Sequence, residues 1–459
     1  MVHLPSDFQH QLAARFGTRF STTQALREQH SSLETHHQGA FPDAVVFAET
    51  TEEVADVVKL CAAHQVPIIP FGAGTSLEGH LSAVKGGISI DLSRMNQILR
   101  VSEADLDCTI QPGVTREQLN QYLHDKGLFF PIDPGANASL GGMVSTRASG
   151  TNAVRYGTMR ENTLALKVVL PDGRIIHTGS RARKSSAGYD LTRLFVGSEG
   201  TLGIITEVTL RLYGIPEVIS SAVCSFADVE QAVDTAITII QLGIPVARME
   251  LMDRGVIKAV NAYSGLTLVE EDTLAFEFHG SDVGVKDQIA MVQEIVKEHQ
   301  GRDFAWAETL EERNKLWAAR HKAYYAALAQ RPGSKGWSSD VCVPVSELTG
   351  SIRYTRELLE TCSIPTTIVG HVGDGNYHVL FAIDPSSQQE LEETAAINKK
   401  IVHYALTVGG TCTGEHGVGL GKIAYMREEH GVAVDLMREL KQAIDPQDLM
   451  NPGKIIPAS

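Results

Sequence analysis

The hydrophobic and polar positions of the chain alternate between a period of about 3.6 residues, typical of helices, and a period of two, typical of strands. Gly, Pro, Asn and Asp separate these segments and favour turns. The pattern therefore predicts an α+β chain. The predicted strands cover residues 44–48, 66–70, 87–92, 107–111, 164–170, 174–178, 204–212, 219–225, 246–251 and 273–279, and the predicted helices begin at Thr51 or cover residues 114–126, 227–241, 283–299, 308–329, 346–361 and 387–407.

The same pattern divides the chain into domains. Phe8, Leu12 and Phe16 recur at helical spacing and predict a helical lead in residues 1–36. The order of elements changes after Pro216, where strand, helix, strand, strand and helix follow one another as in a ferredoxin-like α+β arrangement. A chain of 459 residues is also too long for one core. We therefore expect two or three domains.

Two histidines flank a predicted tight turn. Asp374-Gly375 favours a type I′ turn, because both residues tolerate the positive φ that this turn needs. A turn centred there places His371 directly opposite His378, with Cβ atoms about 4.5 to 5.5 Å apart. Both imidazoles could then hold one metal ion. The alternative is an ordinary hairpin whose histidines are solvated or bonded to backbone.

A glycine-rich segment at residues 409–421 carries a second acid/base pair, Glu415 and His416. Glu415 can supply a carboxylate ligand to complement His371 and His378. Two His and one carboxylate leave coordination positions open, which is the pattern of a catalytic rather than a structural metal site. His416 adds a further imidazole beside that site.

Two glycine-rich regions lack the bulky side chains needed for a core. Residues 71–76 follow a predicted strand, and their glycines let successive backbone N–H groups approach an anion such as a pyrophosphate. A plain glycine turn is the alternative there. Residues 133–157 are rich in small side chains and suit close approach to a large flat ligand. Their alternative, a long unstructured loop, is uncommon in compact domains.

Composition narrows the classes of function. Lys and Arg total 40 against 55 Asp and Glu, a formal net charge of −15, so we expect no nucleic-acid partner. Six cysteines without a C-x-x-C pair indicate a reduced, intracellular protein. No apolar run reaches the roughly 20 residues of a membrane span.

The first residues bear on location. Arg15, Arg19 and Arg27 lie among Ser and Thr as in a transit peptide. Asp7, Glu28 and Glu34 argue against one. We therefore expect a cytoplasmic protein, or one peripheral to the inner membrane.

Seven segments match the motifs of one family in order: PFGAGTSLEG at 70–79, DPGANASLGG at 133–142, GTNAVRYG at 150–157, GSEGTLG at 197–203, HVGDGNYH at 371–378, GEHG at 414–417 and DPQDLMNPGK at 445–454. The chain is identified as a member of the vanillyl-alcohol-oxidase-like (PCMH-type) FAD enzymes, and within them it resembles the D-2-hydroxyacid dehydrogenases. The match covers nearly the whole chain. The resemblance implies a two-subdomain FAD-binding domain at 37–215, a substrate- and metal-binding α+β cap at 216–444, and a C-terminal segment at 445–459 that returns to the FAD domain.

The resemblance also implies which residues hold FAD, without a covalent bond. Residues 71–76 would bind the pyrophosphate, and Asn451 would approach the flavin from the C-terminal segment. The full set of predicted flavin-binding residues is Phe71, Gly72, Ala73, Gly74, Thr75, Ser76, Asp133, Pro134, Gly135, Gly141, Gly142, Ser145, Gly150, Asn152, Val154, Tyr156, Ile204 and Asn451.

The other implied roles concern metal and substrate. The ligands of a divalent metal, Zn²⁺ or Mn²⁺, would be His371, His378 and Glu415. His416 would be the catalytic base. The residues implied to bind the substrate carboxylate are Arg320 and Lys335, although either could be a solvated charge.

Together these roles imply oxidation of a D-2-hydroxy acid to the 2-oxo acid, with hydride passing to flavin N5. Leu380 stands where the 2-hydroxyglutarate branch has Asn, which favours lactate or another short monocarboxylate. The alternatives are a 2-hydroxyglutarate dehydrogenase, a glycolate-oxidising subunit, or a catalytically silent flavin-binding subunit. The chain carries no haem or iron–sulfur motif, so electrons should pass to cytochrome c, a quinone or an electron-transfer flavoprotein. A homodimer is compatible with this interpretation.

Overall fold

The structure is a computed structural model that describes residues 4–31, 35–37 and 39–458. Residues 1–3 and 32–34, which belong to the predicted helical lead, lie outside the described residues. The chain divides into two compact units. Unit 1 comprises Met1–Gly150, Gly157–Ile215 and Glu415–Ser459, and unit 2 comprises Thr151–Tyr156 and Pro216–Gly414.

Unit 1 contains two main sheets and one short strand pair. The first sheet has the order β1-β2-β4-β3, the second has the order β5-β6-β10-β8-β9, and β11 pairs with β7. In the first sheet β2 and β3 both run parallel to β4. The strands are β1 (Phe20–Ser21), β2 (Ala44–Phe47), β3 (Ile68–Phe71), β4 (Ile88–Asp91), β5 (Ile98–Ser102), β6 (Asp107–Ile110), β7 (Leu128–Phe129), β8 (Thr163–Val169), β9 (Ile175–His177), β10 (Ile204–Arg211) and β11 (Tyr213–Gly214).

Unit 2 is built on one antiparallel sheet with the order β15-β12-β14-β13-β18-β19-β16, and β17 also pairs with β19. Its first four strands have the order 4-1-3-2 of a ferredoxin-like arrangement, which confirms the sequence prediction for residues 219–299. The strands are β12 (Val218–Phe226), β13 (Arg248–Met252), β14 (Asp272–Gly280), β15 (Arg302–Ala307), β16 (Lys335–Ser338), β17 (Val341–Cys342), β18 (Thr366–His371) and β19 (Asn376–Ile383).

Each predicted amphipathic segment forms a helix, but further helices occur that the apolar pattern did not predict, including helices of 11 and 12 residues at 254–264 and 433–444. The helices are α1 (Ser6–Phe16), α2 (Gln24–Gln29), α3 (Thr51–His64), α4 (Arg116–His124), α5 (Leu140–Thr146), α6 (Ala153–Tyr156), α7 (Met159–Asn162), α8 (Leu191–Phe195), α9 (Val229–Gln241), α10 (Arg254–Ser264), α11 (Asp282–Glu298), α12 (Leu310–Ala329), α13 (Leu348–Leu359), α14 (Gln388–Thr407), α15 (Met426–His430) and α16 (Ala433–Ile444). None in the described ranges is long and apolar enough to cross a membrane.

Helix α1 is an integral part of unit 1. Phe8, Leu12 and Phe16 are buried in the same core as the strands of the first sheet. Arg15 and Arg19 form ion pairs with carboxylates of α3. Arg15 of this helix and Arg19 just beyond it therefore tie the start of the chain to unit 1.

The C-terminal part of unit 1 begins earlier than the predicted boundary at residue 445. Lys441 of α16 donates hydrogen bonds to the carbonyls of Thr201 and Met450, each at 2.8 Å. Met450 in turn forms a parallel bridge with Ile68 of β3. These contacts explain why the helices after Glu415 belong to unit 1.

The segment Thr151–Tyr156 also lies outside its predicted domain, because it belongs to unit 2. Its side chains contact residues of β13 and β14. A glycine-rich segment without apolar periodicity gives no sign of this in the sequence.

The hairpin β18–β19 differs from the predicted one in register. His371 pairs with Asn376, not His378, and a four-residue loop joins the strands. Gly375 has a φ of 79° whereas Asp374 is not in the positive-φ region, so a type I′ turn is ruled out. The amide of Asp374 instead donates to the carbonyl of His371 at 2.9 Å. The physical reason is a contact with residues distant in sequence. Gly375 packs directly on the backbone of Val343, and its carbonyl accepts a hydrogen bond from Val343 N at 3.0 Å.

Candidate active site

The two hairpin histidines remain neighbours despite the corrected register. His378 lies two residues beyond the partner of His371, so both side chains point to the same face of the sheet. Their ring centroids are 5.5 Å apart, and both residues are buried. Two imidazoles at this spacing can bind one ion.

Each imidazole has its Nδ1 atom engaged by a protein oxygen. His371 Nδ1 lies 2.6 Å from Glu250 Oε1, and His378 Nδ1 lies 3.0 Å from the carbonyl of Ser339. Both oxygens are acceptors, so Nδ1 carries the proton in each ring and Nε2 keeps its lone pair. This is the tautomer that metal-binding histidines have.

The buried carboxylate of Glu250 joins His371 to Arg320. It accepts from Arg320 Nε at 2.8 Å as well as from His371. Burial alone would raise the pKa of Glu250, but the neighbouring His371 and Arg320 hold that pKa below its usual range. Arg320, predicted to bind the substrate carboxylate, is thus fixed by the carboxylate that orients His371.

The short connection between β16 and β17 supports the other histidine. Asp340 is fully buried, and its Oδ1 lies 3.6 Å from His378 Nδ1. The same carboxylate accepts from Asn376 Nδ2 at 2.9 Å and from Thr413 Oγ1 at 2.6 Å. Thr413 is therefore held against the hairpin, and Gly414 contacts Asn376.

Glu415 follows Gly414 by one peptide bond, about 3.8 Å between Cα atoms, so the chain delivers it from the anchored Thr413-Gly414 segment. A carboxylate and two imidazoles with their Nδ1 atoms engaged are a donor set suited to Zn²⁺ or Mn²⁺. The residues fit a catalytic metal.

His416 lies in unit 1 near a buried carboxylate. Its Nδ1 atom is 4.0 Å from Glu78 Oε1, and Lys422 Nζ is 3.8 Å from the same oxygen. Burial would raise the pKa of Glu78, but Lys422, His37 and His416 lower it further than burial raises it. Glu78 is therefore a negative charge facing His416.

The predicted phosphate loop follows β3 in unit 1 and meets the second glycine-rich motif. Ala73 N donates to Ser139 Oγ at 3.2 Å, and a Cβ on Gly72 would overlap that oxygen. A Cβ on Gly150 would lie 2.5 Å from the carbonyl carbon of Asp133. Small residues are required here because backbone approaches backbone, and the resulting side-chain-free cradle suits a dinucleotide.

The other predicted flavin residues fall in three places. The largest group lies in unit 1, at the end of β3, in the loops and in α5, and comprises Phe71, Gly72, Ala73, Gly74, Thr75, Ser76, Asp133, Pro134, Gly135, Gly141, Gly142, Ser145 and Gly150. Ile204 and Asn451 are buried elsewhere in unit 1. The third group, Asn152, Val154 and Tyr156, lies in unit 2. Asn451 Nδ2 donates to the carbonyls of His80 and Glu199.

Two further residues concern the substrate. Lys335 is the first residue of β16, opposite Ile383. Leu380 is buried on the same strand face as His378 and lies beside Gly336, whose Cβ would be 3.2 Å from Leu380 Cδ1. The residue two positions after the second histidine is therefore apolar and also buried.

Sequence reasoning missed Glu250 and Asp340. Glu250 is a carboxylate in the interior of strand β13, and a charge in such a buried strand is a usable signal. Asp340 follows two serines in a connecting segment and offers no such signal.

Comparison with known proteins shows the family of the chain. The family model of FAD linked oxidases, C-terminal domain, matches residues 215–455, and the FAD binding domain model matches residues 42–179. The chain belongs to the family of FAD-linked oxidases, as the motifs predicted.

Several relatives are D-lactate dehydrogenases. The chain is 52% identical over 95% of its length to a probable mitochondrial D-lactate dehydrogenase of Danio rerio, covering 88% of that protein. It is 48% identical to the mitochondrial D-lactate dehydrogenase [cytochrome] of Arabidopsis thaliana and 41% identical to D-lactate dehydrogenase [cytochrome] 1 of Saccharomyces cerevisiae, in each case over 92% of this chain and 75% or 74% of the relative.

Solved structures confirm the fold class. The chain is similar to p-cresol methylhydroxylase, with a TM-score of 0.80 at 17% identity, over 98% of this chain and 96% of that one. A 4-ethylphenol oxidase from Gulosibacter chungangensis gives 0.81 at 16% identity, over 99% and 97%. The predicted α+β class with a PCMH-type FAD-binding domain is correct.

The predicted cytoplasmic location is wrong, because the related D-lactate dehydrogenases are named mitochondrial. The prediction weighed the acidic residues around Arg15, Arg19 and Arg27 as an argument against a transit peptide. The three arginines belong to the folded unit. Arg15 and Arg19 form ion pairs with carboxylates of α3, and Arg27 donates to the carbonyl of Pro42. They therefore carry no information about targeting.

Proposed function

We propose that the chain is an FAD-dependent D-lactate dehydrogenase that oxidises D-lactate to the 2-oxo acid. The observation that carries this proposal is the pair His371 and His378, buried on one sheet face with both Nδ1 atoms bonded to oxygen acceptors. The names of the related proteins support the choice of D-lactate. The apolar Leu380 agrees with a substrate that has a single carboxylate.

FAD, when bound, supplies the hydride acceptor for C2 of the substrate, and a divalent metal supplies a Lewis acid for its hydroxyl. We assign the metal to His371, His378 and Glu415. Glu250 and the carbonyl of Ser339 hold the two rings so that each Nε2 keeps its lone pair. Zinc and manganese both suit this donor set.

His416 accepts the hydroxyl proton in this proposal. The buried carboxylate of Glu78 supports that role, because a negative charge 4.0 Å from the ring stabilises the imidazolium that forms. Arg320 orients the substrate carboxylate and is itself fixed by Glu250. Lys335 is the second cation assigned to that carboxylate.

Electrons then leave to an external acceptor, either a cytochrome c, a quinone or an electron-transfer flavoprotein. Two relatives are named D-lactate dehydrogenase [cytochrome], which favours cytochrome c as the acceptor. We assign FAD as non-covalently bound, so acid precipitation should release the yellow colour into the supernatant.

The decisive experiment is anaerobic reduction of the purified flavoprotein by a panel of D- and L-2-hydroxy acids. D-lactate should bleach the flavin absorbance faster than L-lactate, glycolate and D-2-hydroxyglutarate. Faster bleaching by glycolate or D-2-hydroxyglutarate would reassign the substrate. A flavin that no member reduces would identify a silent flavin-binding subunit.

A further inference from the structure

Buried and half-buried polar side chains of unit 2 form one continuous chain of contacts around the segment Thr151–Tyr156. Tyr156 Oη lies 2.7 Å from His279 Nδ1, and His279 Nε2 lies 2.8 Å from Glu277 Oε1. The same carboxylate is 3.5 Å from Arg248 Nε, which donates to Asn152 Oδ1 at 3.1 Å. Both ends of the segment are thus tied to Glu277.

The partners fix the direction of each hydrogen bond. Burial would raise the pKa of Glu277, but Arg248 and His279 lower it below its usual range, so Glu277 is an acceptor. His279 Nε2 therefore carries the ring proton and Nδ1 accepts. The hydroxyl of Tyr156 must then donate to Nδ1, which fixes the orientation of its O–H bond.

The same strand also serves the metal-binding hairpin. Arg248 and Glu250 are two residues apart in β13 and point to one face, where Arg248 holds Asn152 and Glu250 holds His371. Helix α12 covers both, with Trp317 under the Arg248 guanidinium at 5.4 Å and Arg320 bonded to Glu250.

A direct contact joins the segment to the hairpin. Gly373 lies in the hairpin loop, and a Cβ added to it would be 2.6 Å from Val154 Cγ2. The middle of the segment therefore packs against the loop between His371 and His378, while its two ends bond to the polar chain.

We propose that Arg248, Glu277 and His279 are positioning residues that hold Asn152 and Tyr156 in place to line the flavin beside the metal-binding hairpin. This inference rests on the proposed function, in which those two residues contact FAD. None of the three needs to contact the reacting atoms.

A purely structural role would not call for this arrangement. Replacing a buried ionic network by apolar side chains of similar volume is often neutral or stabilising, so stability alone gives no reason for charges here. Directional hydrogen bonds fix orientation, which apolar packing does not. The network is therefore expected to affect what Tyr156 and Asn152 touch more than it affects unfolding.

A double-mutant cycle on the holoenzyme tests the inference. His279→Ala, Tyr156→Phe and the double variant are compared by dissociation constant for FAD, flavin absorbance spectrum and kcat against KM for D-lactate. Each single variant should weaken FAD binding about tenfold, as expected for one lost hydrogen bond, and the double variant should be no weaker. Additive effects in the cycle would show that His279 acts independently of Tyr156 and would overturn the proposal.

Two conservative variants separate the two ring nitrogens. Asn at position 279 keeps an acceptor near Nδ1 for Tyr156, whereas Gln at 279 places its amide near Nε2 and reaches only Glu277. His279→Asn should restore the wild-type flavin spectrum and His279→Gln should not. Equal behaviour of the two variants would contradict the positioning role.

The control is His299→Ala, which removes another imidazole–hydroxyl contact of unit 2, the half-buried one of His299 Nε2 with Thr238 Oγ1 at 3.0 Å. It should leave FAD affinity and the spectrum unchanged. The outcomes also separate the two proposals. A wild-type protein that binds no FAD would refute the proposed function, whereas FAD binding that is insensitive to His279→Ala and Arg248→Met would refute this inference alone.

Discussion

His371 Nδ1 lies 2.6 Å from Glu250 Oε1, although 121 residues separate them in the sequence. A carboxylate behind a ligating imidazole fixes its ring and raises its basicity, and loss of such a partner typically costs about 10- to 100-fold in metal affinity. We therefore expect Glu250→Gln to weaken metal binding by that factor. Competition with a chelator measures it. Glu207→Gln, which changes a carboxylate paired with Lys167 in unit 1, is the control.

The Glu415-His416 pair should divide into two roles. His416→Ala removes the proton acceptor but no assigned ligand, so anaerobic flavin reduction should slow by about 10² to 10⁴ while metal content stays normal. Glu415→Gln should lose metal together with rate. Single-turnover reduction and metal analysis of both variants decide the matter. If His416→Ala lost metal as Glu415→Gln does, the division would be wrong.

Leu380 should control the choice of acid. Leu380→Asn places an amide beside His378, where it can bond a second carboxylate. The ratio of kcat/KM for D-2-hydroxyglutarate to that for D-lactate should rise about tenfold or more. Leu380→Met, which keeps the position apolar, should leave the ratio near that of the wild type. An unchanged ratio in the Asn variant would place the second carboxylate elsewhere.

Gly150 should be essential for FAD retention. Gly150→Ala would put a Cβ 2.5 Å from the carbonyl carbon of Asp133, and backbone cannot move aside as a flexible side chain can. We expect FAD affinity to fall about tenfold or more. In the matched variant Gly214→Ala the new Cβ has no heavy atom within 4 Å, and FAD affinity should not change.

Asp253 should make the stability of unit 2 depend on pH. This carboxylate accepts from Val256 N at 2.8 Å at the start of α10, and burial raises its pKa to about 6. Because the folded pKa lies above the unfolded one, the folded state binds more protons, and stability falls as pH rises from about 4 to about 6. The shift corresponds to a loss of about 3 kcal/mol.

Asp253→Asn keeps a side-chain oxygen at this helix start but does not titrate. Its free energy of unfolding should match the wild type near pH 4 and exceed it by up to about 3 kcal/mol at pH 7. Urea unfolding followed by tryptophan fluorescence measures this, since Trp306, Trp317 and Trp337 all lie in unit 2. Parallel pH profiles for the two proteins would contradict the prediction.

Local pattern was sufficient to predict most helices and strands of both units. The apolar spacing of Phe8, Leu12 and Phe16, and the ferredoxin-like order of residues 219–299, depend on neighbours within a few turns. The predicted hairpin register was wrong because the conformation of Gly375 depends on its contact with the backbone of Val343. That residue is 32 positions away, so the local pattern does not include it.

The site residues likewise divide into those that local sequence predicts and those that depend on contacts between distant parts of the chain. His371 and His378 are close in sequence, so a hairpin signal was sufficient to place them near each other on one sheet face, although the predicted register was wrong. Glu250 and Arg320 join His371 only through the order of strands in the sheet, which periodicity does not specify. The link from Asn152 to Arg248 crosses a predicted domain boundary for the same reason.

The bridge between Ile68 and Met450 has a consequence for biosynthesis. The strand that leads into the phosphate loop leaves the ribosome early, but its neighbour along the C-terminal segment leaves only after all of unit 2 has been made. Unit 1 therefore cannot close until residue 450 has left the ribosome, whereas residues 216–414 can already fold. Pairing over so many residues also slows closure. Until then one edge of the first sheet is exposed in the nascent chain, and capture of the dinucleotide must follow the synthesis of the C-terminal segment.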